Sequence, residues 1–393
     1  MRPEAAVVGA GPAGILVAKR VAERGFSVQV FEEHPSIGEP SHCAGLVSVE
    51  GLRRLGVEPH GSFIQGTVYG GRVYAPSGEH MEIRDRKPRA YVVDRAAFDR
   101  RLYGEAADAG AEFTLSERVE ALEFNGDRAS LRLRGRTVES TVIIDAEGPG
   151  ARLLSQAGHD PGQRGLINGF NVEVTGVEAE PGIVELWFGE DLAEGFFAWV
   201  IPTGDDAARC GLASRGDGLS SLKGFLKNRF GVEPPAKVRA GRVCTGGPVQ
   251  RTVYGNVLLV GDAAGQVKPT TGGGVVLGGL CACIAGDVAS EHLSGEEKLS
   301  RYDKLWREKY GSEFRSMLAL RGLMNGLGDE RLNRVLHAFK EEGLQAKAQS
   351  LLERGDIDMQ AGVIREALTD PFMLAALVRS LGRVALGELL SLV

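Results

Sequence analysis

The stretch Ala5 to Gly14, AAVVGAGPAG, decides the fold of this chain. Its first four residues are apolar and predict a short buried strand, and the Gly-x-Gly-x-x-Gly turn that follows opens a helix predicted over Pro12 to Arg24. A second predicted strand, Ser27 to Phe31, comes next, so the segment forms a βαβ unit. The sequence therefore predicts an α/β fold that begins with a Rossmann-like dinucleotide-binding domain.

Each residue of this turn has a role in binding a dinucleotide. Gly9 permits the sharp turn, Gly11 lets the backbone approach a pyrophosphate, and Gly14 lets the helix pack tightly on the sheet. Ala13 lies in the first helical turn, whose amides and positive dipole attract phosphate. Glu32 ends the second strand, where a carboxylate accepts hydrogen bonds from a ribose diol. The turn alone fits FAD and NAD equally, and a glycine-rich turn without a ligand is the alternative.

A second glycine-rich region favours FAD. The segment Asn256 to Gly265, NVLLVGDAAG, predicts a buried strand that ends in Gly-Asp, and Pro269 to Gly274, PTTGGG, leads into a helix of small residues up to about His292. In many flavoproteins such a Gly-Asp binds the ribityl chain and the next glycine-rich turn follows the flavin ring. The alternative is that Asp262 caps the following helix. The residues predicted to bind FAD here are Gly261, Asp262, Gly273, Gly274 and Val275.

Three further features extend the predicted cofactor site. The segment Val142 to Arg152, VIIDAEGPGAR, resembles the Asp-Gly motif of the p-hydroxybenzoate-hydroxylase-like flavoproteins, with Glu147 in the aspartate position. In that fold an arginine at the place of Arg95 reaches the cofactor, although a surface ion pair with Asp99 is an equal alternative. Val119, in a predicted strand, either flanks the adenine or belongs to the core.

Taken together, the motifs resemble the geranylgeranyl reductase family, including its archaeal members that act on membrane lipids. The resemblance covers about the first three hundred residues and rests on Gly9 to Glu32, Cys43-Ala44-Gly45, Arg95, Gly261-Asp262 and Pro269 to Val275. It implies that Cys43, Ala44 and Gly45 lie against the flavin, and that Cys43 and His42 are candidate catalytic residues. The alternatives are an inert cysteine and a histidine in a turn.

The family's substrate-cavity signature, Tyr-x-Trp-x-Phe-Pro, appears here in altered form as Phe197 to Pro202, FAWVIP. Alternation along a strand places Phe197, Trp199 and Ile201 on one face, which suits an apolar substrate-binding wall. The alternative is that they are core residues. Because the tyrosine hydroxyl of the signature is missing, the exact substrate stays open.

The resemblance implies an FAD-dependent reductase that saturates isolated double bonds of geranylgeranyl chains, as in archaeal membrane lipid precursors. A hydride from reduced FAD reaches one carbon, and a proton from Cys43, His42 or water reaches the other. Two rival functions remain. Trp199 to Pro202 also matches the end of the halogenase signature Trp-x-Trp-x-Ile-Pro, with Lys87 as a candidate lysine, which keeps a flavin-dependent halogenase or hydroxylase open. The other rival is an electron-transfer flavoprotein.

Composition limits the partners and the cellular location. The chain has 393 residues, 46 lysines and arginines against 52 aspartates and glutamates, and a net charge of −6, so nucleic-acid binding is not expected. Five cysteines without metal-type spacing predict a reduced, cytoplasmic protein with no metal. No signal peptide is expected, nor an apolar run long enough to span a bilayer. The expected partners are a prenyl lipid and an electron donor such as ferredoxin, a reduced deazaflavin or NAD(P)H.

The predicted architecture is a discontinuous FAD-binding domain, an inserted β-sheet substrate domain and a helical C-terminal region. The tail from Asp370 to Val393 predicts a helix whose apolar face, from Leu374 to Ala385, either packs on the protein or contacts a membrane. The predicted boundaries are 1-66, 88-152 and 250-298 for FAD binding, 67-87 and 153-249 for substrate binding, and 299-393 for the helical region.

Overall fold

The computed structural model describes residues 2–341 and 344–381. Its strands, β1 to β19 in chain order, are Ala5–Val8, Val28–Phe31, Leu46–Ser48, Ile64–Val68, Gly70–Tyr74, His80–Arg84, Ala90–Val93, Glu112–Thr114, Ala121–Asn125, Arg128–Leu133, Arg136–Glu139, Val142–Asp145, Leu166–Thr175, Ile183–Trp187, Ala198–Gly204, Ala207–Ser214, Arg239–Cys244, Val253–Tyr254 and Val257–Leu259. The α-helices, α1 to α12, are Pro12–Glu23, Val49–Leu55, Arg95–Asp108, Arg152–Gln156, Glu190–Ala193, Gly218–Phe230, Val275–Leu293, Arg301–Gly326, Asp329–Glu341, Gln345–Arg354, Ala361–Thr369 and Pro371–Leu381, and Gly261–Ala264 forms a short 3₁₀ helix.

The chain folds into two compact units. The first unit comprises residues 1–41, 95–166 and 244–314, and the second comprises 42–94, 167–243 and 315–393. Residues 42–66 therefore group with the second unit rather than with the dinucleotide-binding segments, because β3 and β4 both pair with β7. Which parts of the chain bind cofactor and substrate stays a prediction.

A largely parallel sheet organises the first unit. Its strand order is β18-β19-β12-β1-β2-β8, and β1 lies at the centre with β12 and β2 parallel on either side. Val7 pairs with Ile144 and Val30, and all of β1 is buried. Continuous apolar strands such as AAVV are typical of parallel sheets covered on both faces. The predicted α/β Rossmann-like fold is confirmed.

Helix α7 lies in the core of the first unit and packs against α1. A Cβ on Gly286 would lie 2.6 Å from the Cβ of Arg20 and 3.1 Å from the carbonyl oxygen of Val17, so glycine permits the close approach of the two helices. By length and hydropathy α7 is the one helix among the described residues that meets the requirement for crossing a membrane. The expectation that no apolar run is long enough was wrong, because small core residues give α7 the composition of a membrane span.

The second unit contains a seven-stranded sheet in the order β17-β13-β16-β15-β14-β5-β6 and a three-stranded sheet in the order β3-β7-β4. Strands β14 and β5 are parallel, whereas β13, β16, β15 and β14 pair as antiparallel neighbours. Tyr69 alone separates β4 from β5 along the chain. Four short helices, α9 to α12, follow α8.

Asp370 caps the last described helix, at the start of the tail for which the sequence predicts a helix. Its Oδ1 accepts hydrogen bonds from the backbone N–H groups of Phe372 at 3.0 Å and Met373 at 2.9 Å. Met373 and Ala376 are buried, whereas Leu374, Leu377 and Val378 of the predicted apolar face are half-buried. Residues 382–393, including Val384 and Ala385 of that face, lie outside the described residues. Membrane contact of this helix stays a prediction.

Candidate functional site

Three segments predicted separately from the sequence meet in the first unit, at the carboxyl ends of β1, β12 and β19. A Cβ on Gly9 would lie 2.5 Å from the carbonyl oxygen of Ala146, and one on Gly14 would collide with the carbonyl oxygen of Gly9. A Cβ on Gly261 would lie 2.8 Å from the Cβ of Ala13. The carboxyl edge of a parallel sheet is where such folds bind ligands, so the arrangement is that of a dinucleotide site.

Gly11 differs from its neighbours because nothing in the protein requires a glycine there. A Cβ on Gly11 would meet no atom within 4 Å, and its backbone is extended, with φ −75° and ψ 174°. The residue is the N-cap of α1, whose first N–H groups have no acceptor inside the helix. Open space beside free amide donors and a positive helix end fits the pyrophosphate of a dinucleotide cofactor.

Glu32 is held in place at the end of β2 by the turn itself. Its Oε2 accepts a hydrogen bond from the N–H of Ala10 at 2.8 Å, and its Oε1 accepts one from the N–H of His34 at 2.9 Å. The side chain is 13% exposed, which leaves room for a hydroxyl donor. An oriented carboxylate beside the glycine-rich turn fits the predicted ribose contact.

The second glycine-rich region forms a tight structure around Asp262. A Cβ on Gly274 would lie 2.6 Å from Oδ1 of Asp262, and one on Gly273 would lie 2.8 Å from Cε of Lys268. Gly274 is the N-cap of α7 and Val275 its first residue, and the structure shows no side-chain cap there. Asp262 therefore does not cap this helix. Burial raises the pKa of the Asp262 carboxyl, and the positive charge of Arg95 offsets only part of this increase.

Arg95 pairs with Asp99, but not on the surface. Its Nη2 lies 3.1 Å from Oδ1 and 3.2 Å from Oδ2 of Asp99, and the two side chains are only 13% and 7% exposed. The positive charge of Arg95 also lowers the pKa of the Asp262 carboxyl in the second glycine-rich region, against the larger effect of burial. Its contact with the cofactor stays a prediction.

Val119 is not in a strand, contrary to the expectation. It lies in an irregular segment before β9 and is 3% exposed, packed in the same apolar cluster as Phe31 and Leu131. The tight turn at Ser116, which has a positive φ of 58°, delays the start of the next strand. Packing against the core is established, and the adenine contact stays a prediction.

Two carboxyl groups lie at the end of β12, of which Asp145 is buried and Glu147 is half-buried. Oε1 of Glu147 accepts a hydrogen bond from the N–H of Leu153 at 2.7 Å, so Glu147 supports the start of α4. Oδ1 of Asp145 accepts one from the N–H of Glu147 at 3.1 Å, whereas its Oδ2 has no partner among the described residues and the residue is fully buried. Burial, and after it the charge of Glu147, raises the pKa of Asp145.

This raised pKa predicts a pH dependence of stability. Above the ordinary carboxyl pKa of about 4, the unfolded chain loses the Asp145 proton while the folded protein keeps it, so this group's contribution to the free energy of unfolding falls as the pH rises. Asp145→Asn keeps the Oδ1 acceptor and does not ionise. We expect the stability of the variant relative to the wild type to increase between about pH 4.5 and about pH 7, by at most about 1.4 kcal/mol per pH unit, in urea unfolding. A difference that stays constant with pH contradicts the prediction.

In the second unit, Arg209 holds the segment that carries Cys43. Its guanidinium donates hydrogen bonds to the carbonyl oxygen of Ala44 at 2.8 Å and to Oε1 of Gln65 at 2.8 Å, and its Nε donates to Oε1 of Glu173 at 2.6 Å. Gly45 has φ +73°, and a Cβ there would collide with Nη1 of Arg209. Arg209 is 5% exposed. This arginine is not among the residues predicted from the sequence, although a single charge inside the apolar strand AARCGLAS is a signal of a buried, partnered arginine.

A hydrogen-bonded chain joins Cys43 to the altered signature. Nε1 of Trp199 donates to Oδ1 of Asn171 at 3.2 Å, and Nδ2 of Asn171 donates to the carbonyl oxygen of Cys43 at 3.2 Å. Asn171 is 2% exposed and was also missed, since nothing in the strand LINGFNVEVT shows which partner it has. The Cys43 thiol is half-buried and accepts a hydrogen bond from the N–H of Gly45 at 3.3 Å, whereas His42 is exposed.

The predicted alternation along β15 is confirmed. Phe197, Trp199 and Ile201 pack in one apolar cluster, whereas Ala198 and Val200 pack in another. The first three residues are 5%, 9% and 3% exposed, so they are core residues of the second unit. A role as the wall of a substrate cavity stays a prediction.

Lys87, the candidate halogenase lysine, lies in an exposed bend after β6. Its backbone N–H donates to Oδ1 of Asp85 at 3.1 Å. This is the geometry of a surface turn, and it gives the halogenase interpretation no support.

Comparisons with known proteins give the family. The model of an FAD binding domain matches residues 2–217. Digeranylgeranylglycerophospholipid reductase 2 of Methanothermobacter thermautotrophicus is 35% identical over 370 residues, which cover 90% of this chain and 96% of that protein. The predicted resemblance is therefore confirmed, and the cofactor is FAD.

Solved structures with this fold include both candidate functional classes. A geranylgeranyl bacteriochlorophyll reductase-like protein from Thermoplasma acidophilum has a TM-score of 0.82 and 22% identity, with 100% of this chain and 99% of that chain covered. The flavin-dependent brominase Bmp2 has a TM-score of 0.72 and 18% identity, with 94% of this chain and 98% of that chain covered. At these identities the likeness shows a shared fold alone. By sequence, this oxidoreductase belongs to the digeranylgeranylglycerophospholipid reductase family of FAD-binding proteins.

Proposed function

We propose that this protein is an FAD-dependent reductase that saturates the isolated double bonds of geranylgeranyl chains in archaeal-type membrane lipid precursors. The observation that carries the proposal is the chain of hydrogen bonds from Trp199 through Asn171 to Cys43. It connects the altered substrate signature with the segment that the family places against the flavin. The relative in Methanothermobacter thermautotrophicus, named as such a reductase, supports the same substrate class.

The residues of the first unit suit their proposed part in holding FAD. The open space beside the Gly11 backbone suits the pyrophosphate of FAD, and the carboxylate of Glu32 suits the ribose. The region of Asp262 and Gly274 suits the ribityl chain and the flavin ring. Bound FAD would supply the two-electron chemistry that a carbon–carbon double bond requires. The electrons come from a donor that we expect to be ferredoxin, a reduced deazaflavin or NAD(P)H.

The residues of the second unit would provide the proton and exclude water. An isolated alkene has no group that withdraws electrons, so a proton must be delivered at a defined place as the new carbon–hydrogen bonds form. Cys43 is the better candidate donor, because its thiol is half-buried and its carbonyl is fixed by Asn171, whereas His42 is exposed. A prenyl chain would gain about 25 cal/mol for each Å² buried against apolar side chains. We place this reaction in the cytoplasm, at the membrane surface from which the lipid comes.

A single-turnover experiment tests the proposal. The FAD-loaded protein is reduced with dithionite without oxygen and mixed with a geranylgeranyl phospholipid. We expect the flavin to reoxidise and the lipid to gain two mass units for each double bond reduced. An unchanged lipid, together with halide-dependent chemistry when oxygen is admitted, would overturn the proposal in favour of a halogenase.

The role of Cys43 is tested in the same assay. Cys43→Ala should keep FAD and substrate binding but slow alkene reduction by about 100-fold, the usual contribution of a positioned acid. His42→Ala is the matched control and should change the rate by less than about threefold. Equal effects of the two variants would contradict the assignment of Cys43.

A further inference from the structure

The second unit contains a buried arginine that pairs with no carboxylate among the described residues. Arg321, on α8, is 3% exposed, and its guanidinium lies 4.5 Å from the centre of the Phe196 ring and donates to the carbonyl oxygen of Gly195. Burial, and after it the positive charge of Arg215, lowers the pKa of Arg321 to about 10. The guanidinium therefore remains charged at neutral pH.

Arg321 and Arg215 line the same cavity of about 140 Å³. This volume is well above the roughly 10–15 Å³ that one water molecule requires. Asn325 connects the two sides, because its oxygen accepts from Nη2 of Arg215 at 3.0 Å and its nitrogen donates to the carbonyl oxygen of Gly195 at 3.3 Å. Asn325 and Arg321 thus share the Gly195 carbonyl oxygen as an acceptor, and Asn325 fixes the Arg215 guanidinium at the same cavity.

Neither arginine of this pair forms an ion pair with a carboxylate of the described residues. Three carboxylates also line the cavity, Glu190, Glu194 and Asp329, but within the described ranges no carboxylate lies within 4.0 Å of either guanidinium. By contrast, the partly buried Arg229 of the same unit lies 2.7 Å from Glu185. A buried charge without a counter-ion is costly, and a ligand anion removes that cost.

We propose that this cavity binds a phosphate group, supplied by the headgroup of the amphiphilic substrate. The planar guanidinium matches phosphate oxygens in pairs, and two arginines at one cavity match the charge of a phosphate ester. The Phe196 ring, which Arg321 covers, stacks on the Phe197 ring with the ring centres 4.3 Å apart. The phosphate site therefore adjoins the apolar cluster that contains Trp199. An anionic end beside an apolar cluster is the arrangement that a phospholipid requires. The headgroup assignment rests on the proposed function, whereas the phosphate site does not.

Calorimetric titration of the FAD-loaded, full-length protein tests the site. The probes are inorganic phosphate, glycerol 1-phosphate, a short-chain phosphatidic acid and the uncharged alcohol geranylgeraniol. Arg215 is exposed, so the Arg215→Gln variant should fold normally. The Arg321→Lys variant keeps the buried positive charge but loses the planar guanidinium. Arg84→Gln is the control, because Arg84 is paired with Glu180. We expect both site variants to weaken phosphatidic acid binding by about 10-fold or more, and geranylgeraniol binding and the control to be unchanged.

The outcomes separate the site from the function. Unchanged phosphatidic acid affinity in Arg215→Gln, with the same melting temperature as the wild type, would overturn the site. Arginine-dependent binding of inorganic phosphate as tight as that of phosphatidic acid would overturn the headgroup assignment. Arginine-dependent lipid binding supports the site even if no double bond is reduced, and in that case only the proposed function fails.

Discussion

Gly11→Val is expected to give a folded protein that has lost FAD. The new side chain meets no protein atom at its Cβ, and the backbone angles of φ −75° and ψ 174° are allowed for a β-branched residue. It does occupy the space in which the pyrophosphate lies against the start of α1. We expect FAD affinity to fall on the order of 100-fold or more, with the melting temperature of the FAD-free protein unchanged. Absorbance at the flavin bands and a thermal scan of both apoproteins measure this.

Gly61→Val is the matched control for this change. Gly61 is exposed in a turn of the second unit, and a Cβ there also meets nothing within 4 Å. It should retain FAD. Gly14→Val gives the opposite control, because its Cβ would collide with the carbonyl oxygen of Gly9 and should prevent folding of the unit. Full FAD occupancy in Gly11→Val would show that the pyrophosphate does not lie at this turn.

Arg209→Met is expected to lower the free energy of unfolding by about 2–4 kcal/mol, mainly through acceptors around a buried position that lose their donor. The substitution leaves the carbonyl oxygen of Ala44, Gln65 and Glu173 without their donor, around a position that is 5% exposed. Since the same guanidinium supports the Cys43 segment, alkene reduction should be lost at temperatures where the variant still folds. Urea unfolding of the FAD-loaded protein measures the first effect, and single-turnover reduction measures the second.

Arg84→Met provides the comparison. Arg84 pairs with Glu180, but its side chain is 50% exposed and that of Glu180 is 40% exposed. Solvent screens such a pair, so the loss should stay below about 1 kcal/mol. Similar losses in the two variants would mean that the contacts of Arg209 do not stabilise the fold beyond those of a surface ion pair.

The sequence predicted the features that depend on neighbouring residues. The βαβ unit has its expected elements, with α1 ending at Glu23 rather than Arg24. The prediction that Phe197, Trp199 and Ile201 share one face was also correct. Local periodicity and turn chemistry suffice for these features, because both are encoded within a few residues.

The supports of the Cys43 segment could not be found in this way. Asn171 lies 128 residues from Cys43 along the chain, and Arg209 lies 165 residues from Ala44. A polar residue in an apolar strand indicates that some partner exists, but the partner is chosen by the pairing of whole sheets. The prediction that Val119 lies in a strand was wrong for a related reason, because the turn at Ser116, which has a positive φ, delays the start of the next strand.

The central position of β1 in its sheet has a consequence for biosynthesis. Its parallel neighbour β12 ends at Asp145, and the sheet is not complete until β19 at Leu259 has been made. At the usual rate of 5–20 residues per second, the first strand waits on the order of ten to fifty seconds for its last partner. A growing polypeptide therefore cannot complete the sheet that carries the FAD site until β19 has been translated, and during that interval the apolar segment AAVV lacks the parallel neighbours that bury it.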